Sequence, residues 1–170
     1  MARSFLTSSI HVLARYTALL GGFVLLAVVI MSCVSIIGRA LTVFGLTSIP
    51  GDFEMVEMGI GFAVFASLPW CHLHKGHASV DLFQPAFGRH LNAAIDIVAD
   101  GLMFVVATLI ARQLWLGMLD KKQYSETTFI LQFPVYLAYG AAMLGAVVFV
   151  IVSLYCFGRS IGRAKKEFAQ

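Results

Sequence analysis

Five ionisable residues interrupt stretches that otherwise suit the interior of a lipid bilayer. Asp100 and Arg112 bracket 11 residues without formal charge, Gly101 to Ala111, or roughly 16 Å of helix. At least one of the two must therefore lie at membrane depth. Asp96 precedes Asp100 by four residues and shares its helix face. In the preceding apolar run, Met58 to Cys71 gives 14 uncharged residues, roughly 21 Å. That is too short to cross, so Glu57 must enter the outer part of the membrane, and Glu54, one turn earlier, shares its face. An intramembrane charge marks an ion or proton path, or a contact that needs a counter-charge. Arg39 closes the first apolar run on the same side as Glu54 and Glu57, and its pairing with one of them is the expected ion-pair network. Solvation of all three at the interface is the alternative reading, since residues near span ends can snorkel.

Two further constellations bear on chemistry. Cys71, His72, His74 and His77 are zinc-competent ligands, but they cluster at a helix end with no matching second pair, and no metal is expected. His11, His72, His74, His77 and His90 are candidate axial ligands for haem in a cytochrome b-type anchor of a redox complex. Such an anchor needs histidines inside facing helices, whereas these five fall in connectors and lead-in segments. A small proton-driven exporter would carry its essential glutamate deeper than Glu54 and Glu57 sit. No phosphate loop, nucleophile with its base, or dinucleotide fold is present, so no enzyme and no cofactor is expected.

The elements that must position these residues are four apolar runs, about 18–38, 53–71, 91–118 and 133–157, within 170 residues. About 20 helical residues span the roughly 30 Å hydrocarbon layer. With 59% hydrophobic and 12% charged residues, the composition lies outside the soluble globular range. The runs lack the alternation of barrel strands, and backbone groups in lipid must be satisfied internally, so helices are expected. The predicted fold is an all-α membrane protein: one four-helix domain over 1–170 with a short amphipathic surface segment, about 78–90, between helices two and three. Residues 3–17 predict a second amphipathic segment lying on the membrane ahead of the first span. That span runs past Cys33 to Gly38, too long for a cleaved signal. Three cysteines, Cys33, Cys71 and Cys156, give no disulfide framework.

Charge distribution sets the expected orientation. With both termini cytoplasmic, eight basic residues fall inside and four outside, as the positive-inside rule requires. They flank hydrophobic spans, so anionic lipid headgroups suit them as partners and nucleic acid does not. Small residues form two close-packing stripes: Gly59, Gly61, Ala63, Ala66 and Ser67 in the second span, and Ala138, Ala142 and Ala146, with Ala141 and Gly145 beside them, in the fourth. Pro69-Trp70 predicts a kink and an interfacial anchor. No matched charges repeat between the halves, so the inverted-repeat sign of a self-sufficient transporter is missing.

Taken in order along the chain, these features resemble a known family. Arg39 ends the first span, and Pro50-Gly51-Asp52-Phe53-Glu54-Met55-Val56-Glu57 opens the second. Gly76, His77, Val80 and Asp81 then fit a Gly-His-x-x-Val-Asp pattern, and Ser125 to Pro134-Val135-Tyr136 leads into the fourth span. The chain is similar to the DctQ-type small permease subunit of tripartite ATP-independent periplasmic (TRAP) transporters. That resemblance implies a scaffold in the bacterial inner membrane for a much larger DctM-type subunit, which holds the substrate and sodium sites and moves like an elevator. It also implies a periplasmic binding protein that delivers an organic acid, such as a dicarboxylate or sialic acid, with coupling to an ion gradient. Arg39, Glu54 and Glu57 would then be structural, and Gly76, His77, Val80 and Asp81 a cytoplasmic surface motif. Trp70, Asp96, Asp100 and Arg112 would meet the large subunit or lipid, and no residue would be catalytic.

Overall fold

A computed structural model of the chain describes residues 2–42, 45, 47–76 and 89–168. Four helices follow in order: α1 (Ala2–Ala40), α2 (Asp52–Leu73), α3 (Arg89–Gln123) and α4 (Val135–Phe168). Each is long and apolar enough to cross a membrane, and the chain is an all-α membrane protein with four transmembrane helices. The expected surface segment at 78–90 lies outside the described residues, except Arg89 and His90, which open α3.

The helices overrun the expected spans. The separate surface lead-in expected at 3–17 does not form: α1 is one helix of 39 residues, about 58 Å long. No glycine or proline falls between Ala2 and Leu20 to break it, and Thr17 returns its hydroxyl to the Leu13 and Ala14 carbonyls within the same turn. The apolar side of this extension is used inside the protein. Ala14 is fully buried in a cluster with Leu73 of α2 and Val152 of α4, and Ile10, Trp70, Val148 and Tyr155 pack around it. Tyr155 donates its hydroxyl to Thr7, tying α1 to α4 at the end of the molecule that holds both termini.

The packing order is α1–α2–α4–α3. Along the described residues α1 lies on α2, α2 on α4 and α4 on α3, while α3 makes no close backbone approach to α1 or α2. Burial follows this order: 39% of the α4 membrane window is covered, but only 6% of that of α3. The helices thus form an open row with α4 inside it and α3 at one edge.

Small residues build the α1–α2–α4 seam, where no hydrophobic drive operates between helices in lipid and close backbone approach must replace it. Gly21 of α1 lies over Ala63 and Ala66 of α2, close enough that an added Cβ would come within 3.0 Å of the Ala66 methyl. Ala63, Ala66, Ala142 and Ala146 are all buried. On the other side of α2, Gly145 of α4 presses against the backbone of Phe65 and Ala66. Pro69 explains why Phe65 is approachable there. It sits inside α2 and lacks the amide that would bond the carbonyl four residues earlier. That carbonyl belongs to Phe65 and faces the bare Cα of Gly145. Helix α2 nevertheless continues through the proline to Leu73.

Candidate functional site

Two polar clasps and the furrow between α2 and α3 are the features that could serve an assembly. The first clasp lies at the end away from the termini. Asp52 is the first residue of α2, and its Oδ2 accepts the Ser35 hydroxyl at 2.5 Å and the Arg39 guanidinium at 3.2 Å. Oδ1 accepts the Phe53 amide, and Arg39 lies over the Phe53 ring at 5.9 Å. Ser35 and Arg39 are four apart on α1 and so present one face to Asp52. The expected pairing of Arg39 with Glu54 or Glu57 is therefore not what the geometry gives. Two residues along a helix turn a side chain by about 200°, so Glu54 points away from α1.

Glu54 instead holds the connector between α3 and α4. Its two carboxylate oxygens accept the backbone amides of Ile130 and Leu131 at 2.6 and 2.9 Å. The connector is shaped to reach it. Lys121 bonds Glu126 at 2.6 Å, Val135 donates its amide to the Glu126 carbonyl, and Thr128 its amide to the Phe133 carbonyl. Gly51, at a φ of 77°, opens the way: a Cβ there would meet Leu131 at 2.6 Å. Both a left-handed turn and room for Leu131 thus require glycine at this position.

The second clasp lies at the terminal end. Lys75, just past α2, contacts both oxygens of Asp96 on α3 at 2.9 and 3.0 Å. Both side chains are about half exposed, so this pair fixes position more than it adds stability. One turn on, Asp100 accepts the buried Ser160 hydroxyl of α4 at 2.5 Å. Asp96 and Asp100 share a face, as their spacing requires, and both are engaged within the chain. Trp70 lies tilted against His74, with ring centroids 4.0 Å apart, and packs on the Ala14–Leu73–Val152 cluster, so its ring is turned inward.

The furrow between α2 and α3 is floored by α4 and holds two separate clefts. At the Glu54 end it opens into an apolar cleft of about 300 Å³, lined by Met58, Phe62, Phe65, Leu114, Tyr139 and Ala142 with Glu54 and Glu57 at its rim. Glu57 is exposed there and makes no ion pair among the described residues. At the terminal end a polar cleft of about 320 Å³ is lined by His72, Lys75, Asp100, Arg159, Ser160 and Arg163. With Lys75 engaged by Asp96, Arg159 and Arg163 face one carboxylate, a balance that suits an anionic group such as a phospholipid phosphate.

The histidines with described side chains form no common cluster. His72 is buried edge-on to Phe149, whereas His74 meets Trp70 and His11. Among the described residues no three His, Cys, Asp or Glu side chains come together as a metal site. Gly76 is exposed after α2; His77, Val80 and Asp81 lie outside the described residues. Sequence reasoning overlooked Asp52, Ser35 and Ser160. An acid opening a helix after Pro50-Gly51, and a serine one turn before Arg39, were the signals available.

Residues 28–163 match the family model for tripartite ATP-independent periplasmic transporters, DctQ component. Neither curated proteins nor solved structures give a match.

Proposed function

Because the chain belongs to the DctQ family, the small permease component of tripartite ATP-independent periplasmic transporters, we propose that it acts as the membrane scaffold for a large DctM-type subunit. The family is a transporter component and not an enzyme, and the haem-anchor alternative finds no support in the match. In this proposal the large subunit carries the substrate and the sodium ions, and a periplasmic binding protein delivers an organic acid of the dicarboxylate or sialic-acid type. The four helices act as one domain in the inner membrane with both termini cytoplasmic. Gly76, His77, Val80 and Asp81 then belong to the cytoplasmic face, and the cleft of Arg159 and Arg163 meets lipid headgroups there.

The open packing order is the observation that supports this reading. A helix such as α3, with 6% of its membrane window covered, leaves an unfinished surface. Two clasps and a small-residue seam nevertheless make the row stiff enough to brace a moving neighbour. Reconstitution tests it. Liposomes holding this chain with the large subunit and binding protein should take up a labelled organic acid when a sodium gradient is imposed. Liposomes holding this chain alone should take up none. Uptake by the chain alone would overturn the scaffold role.

A further inference from the structure

A charge in the middle of the hydrocarbon layer needs a counter-charge or a polar cavity, and Arg112 has neither within the described chain. The register of α3 against α4 fixes its depth. Asp100 is level with Ser160 through their hydrogen bond, and Gly117 is level with Tyr139, whose ring lies against it. Arg112 stands twelve residues from Asp100, about 18 Å along the helix. Toward the other end, five residues reach Gly117, and four more separate Tyr139 from Val135 at the start of α4. That distance is about 14 Å. Together the two distances come to about 32 Å, close to the roughly 30 Å hydrocarbon thickness. With the layer bounded at the levels of Asp100 and Val135, Arg112 sits near mid-membrane, farther from either boundary than its side chain can reach.

It is also exposed. Ala107 and Ala111 turn toward α4 and are buried, whereas Val105, Leu109, Leu116 and Leu119 surround Arg112 on the uncovered face. The carboxylates that could have answered it are placed elsewhere. Asp96 holds Lys75, Asp100 takes the Ser160 hydroxyl, Glu54 takes loop amides, and Glu57 lines a cleft that Arg112 does not enter. A lipid phosphate would have to be drawn about 14 Å into the layer to reach it. An acidic side chain carried in on another helix needs no such displacement.

We infer that the uncovered face of α3 docks a transmembrane helix of a companion chain, and that a carboxylate of that helix pairs with Arg112 at mid-membrane. This rests on the proposed scaffold role. The complementary charge defines the partner: an apolar helix bearing one Asp or Glu near its centre.

The test is co-purification of the large subunit with tagged, full-length chain from membranes expressing both. Wild-type chain should bring the large subunit down. Arg112→Leu and Arg112→Glu should lose it by about tenfold or more, since each leaves the partner's buried carboxylate unpaired, and Arg112→Lys should keep part of it. Changing the responsible acidic residue of the large subunit to lysine should restore capture by Arg112→Glu. Arg112→Leu purified alone should unfold at or above the wild-type temperature, which separates lost docking from lost folding. Undiminished capture by Arg112→Leu overturns the inference while leaving the scaffold role intact. So does a fall in bound phospholipid with an unchanged subunit ratio. Failure of the wild-type chain to capture the large subunit overturns both.

Discussion

Replacement of Gly145 by leucine is expected to force α2 from α4 and to leave no monodisperse protein in detergent extracts. The Cβ alone would lie 2.6 Å from the carbonyl carbon and oxygen of Phe65 and 2.8 Å from the Ala66 nitrogen. These are backbone atoms, so relief requires moving a helix and not a side-chain tip. Because α4 is the only close neighbour of α3 among the described residues, displacing it also dismantles the rest of the row. Gly145→Ala is the graded form of the experiment. Overpacking at such a contact costs about 1–3 kcal/mol, against up to about 1 kcal/mol regained from alanine's helix propensity. Its unfolding midpoint should fall, whereas Gly158→Ala and Gly162→Ala, with open space around each added methyl, should not lower theirs. A Gly145→Ala protein as stable as those two controls would show that the seam tolerates separation.

Removal of the Asp52 carboxylate should have the second largest effect. Asp52→Ala takes the acceptor from both Ser35 and Arg39 and the amide partner from Phe53. Ser35 is buried and cannot turn to water, so its hydroxyl must fall back on its own helix, as Ser32 does on the Val28 carbonyl, and the buried tie from α1 to α2 is lost. Arg39 is 55% exposed and can be solvated. The expected order of damage is therefore Asp52→Ala, then Ser35→Ala, then Arg39→Ala, read as thermal midpoint and, under the proposed scaffold role, as recovery of the large subunit. Asp52→Asn should recover much of the loss, because an amide oxygen still accepts the Ser35 hydroxyl. If Arg39→Ala were as harmful as Asp52→Ala, the ion pair and not the buried hydrogen bond would be the principal tie.

Helix number was readable from hydropathy, and the alanines at 142 and 146 were readable as a packing stripe from their spacing. The partner of Arg39 was not. Residues 41–51 hide the register of α2 against α1, and a two-residue difference in register decides between Asp52 and Glu54. The continuity of α1 was equally hidden, because an amphipathic stretch can lie on a membrane or pack on a neighbour. Here Val152 and Tyr155, more than 130 residues away, supply that neighbour. The order α1–α2–α4–α3 had no sequence signal at all, since helices apolar on every side do not announce which face meets protein. Segment length alone said that Asp100, Arg112 or both lie at membrane depth, but not which of them, and it assigned Glu57 to Arg39 within the chain.

In functional terms the clasps and the seam have different roles. The seam holds α1, α2 and α4 by backbone proximity. Asp52 and Glu54 tie α1 and the connector to the start of α2, and Lys75–Asp96 ties α2 to α3. What remains uncovered is the α3 edge, the furrow and the outer face of α1, the surfaces open to lipid or to a companion.

The mass of the particle that carries this chain out of its native membrane tests the scaffold role most directly. Gently solubilised and weighed by native mass spectrometry, that particle should contain the chain together with one much larger integral membrane protein. A homogeneous particle made of this chain alone would contradict it.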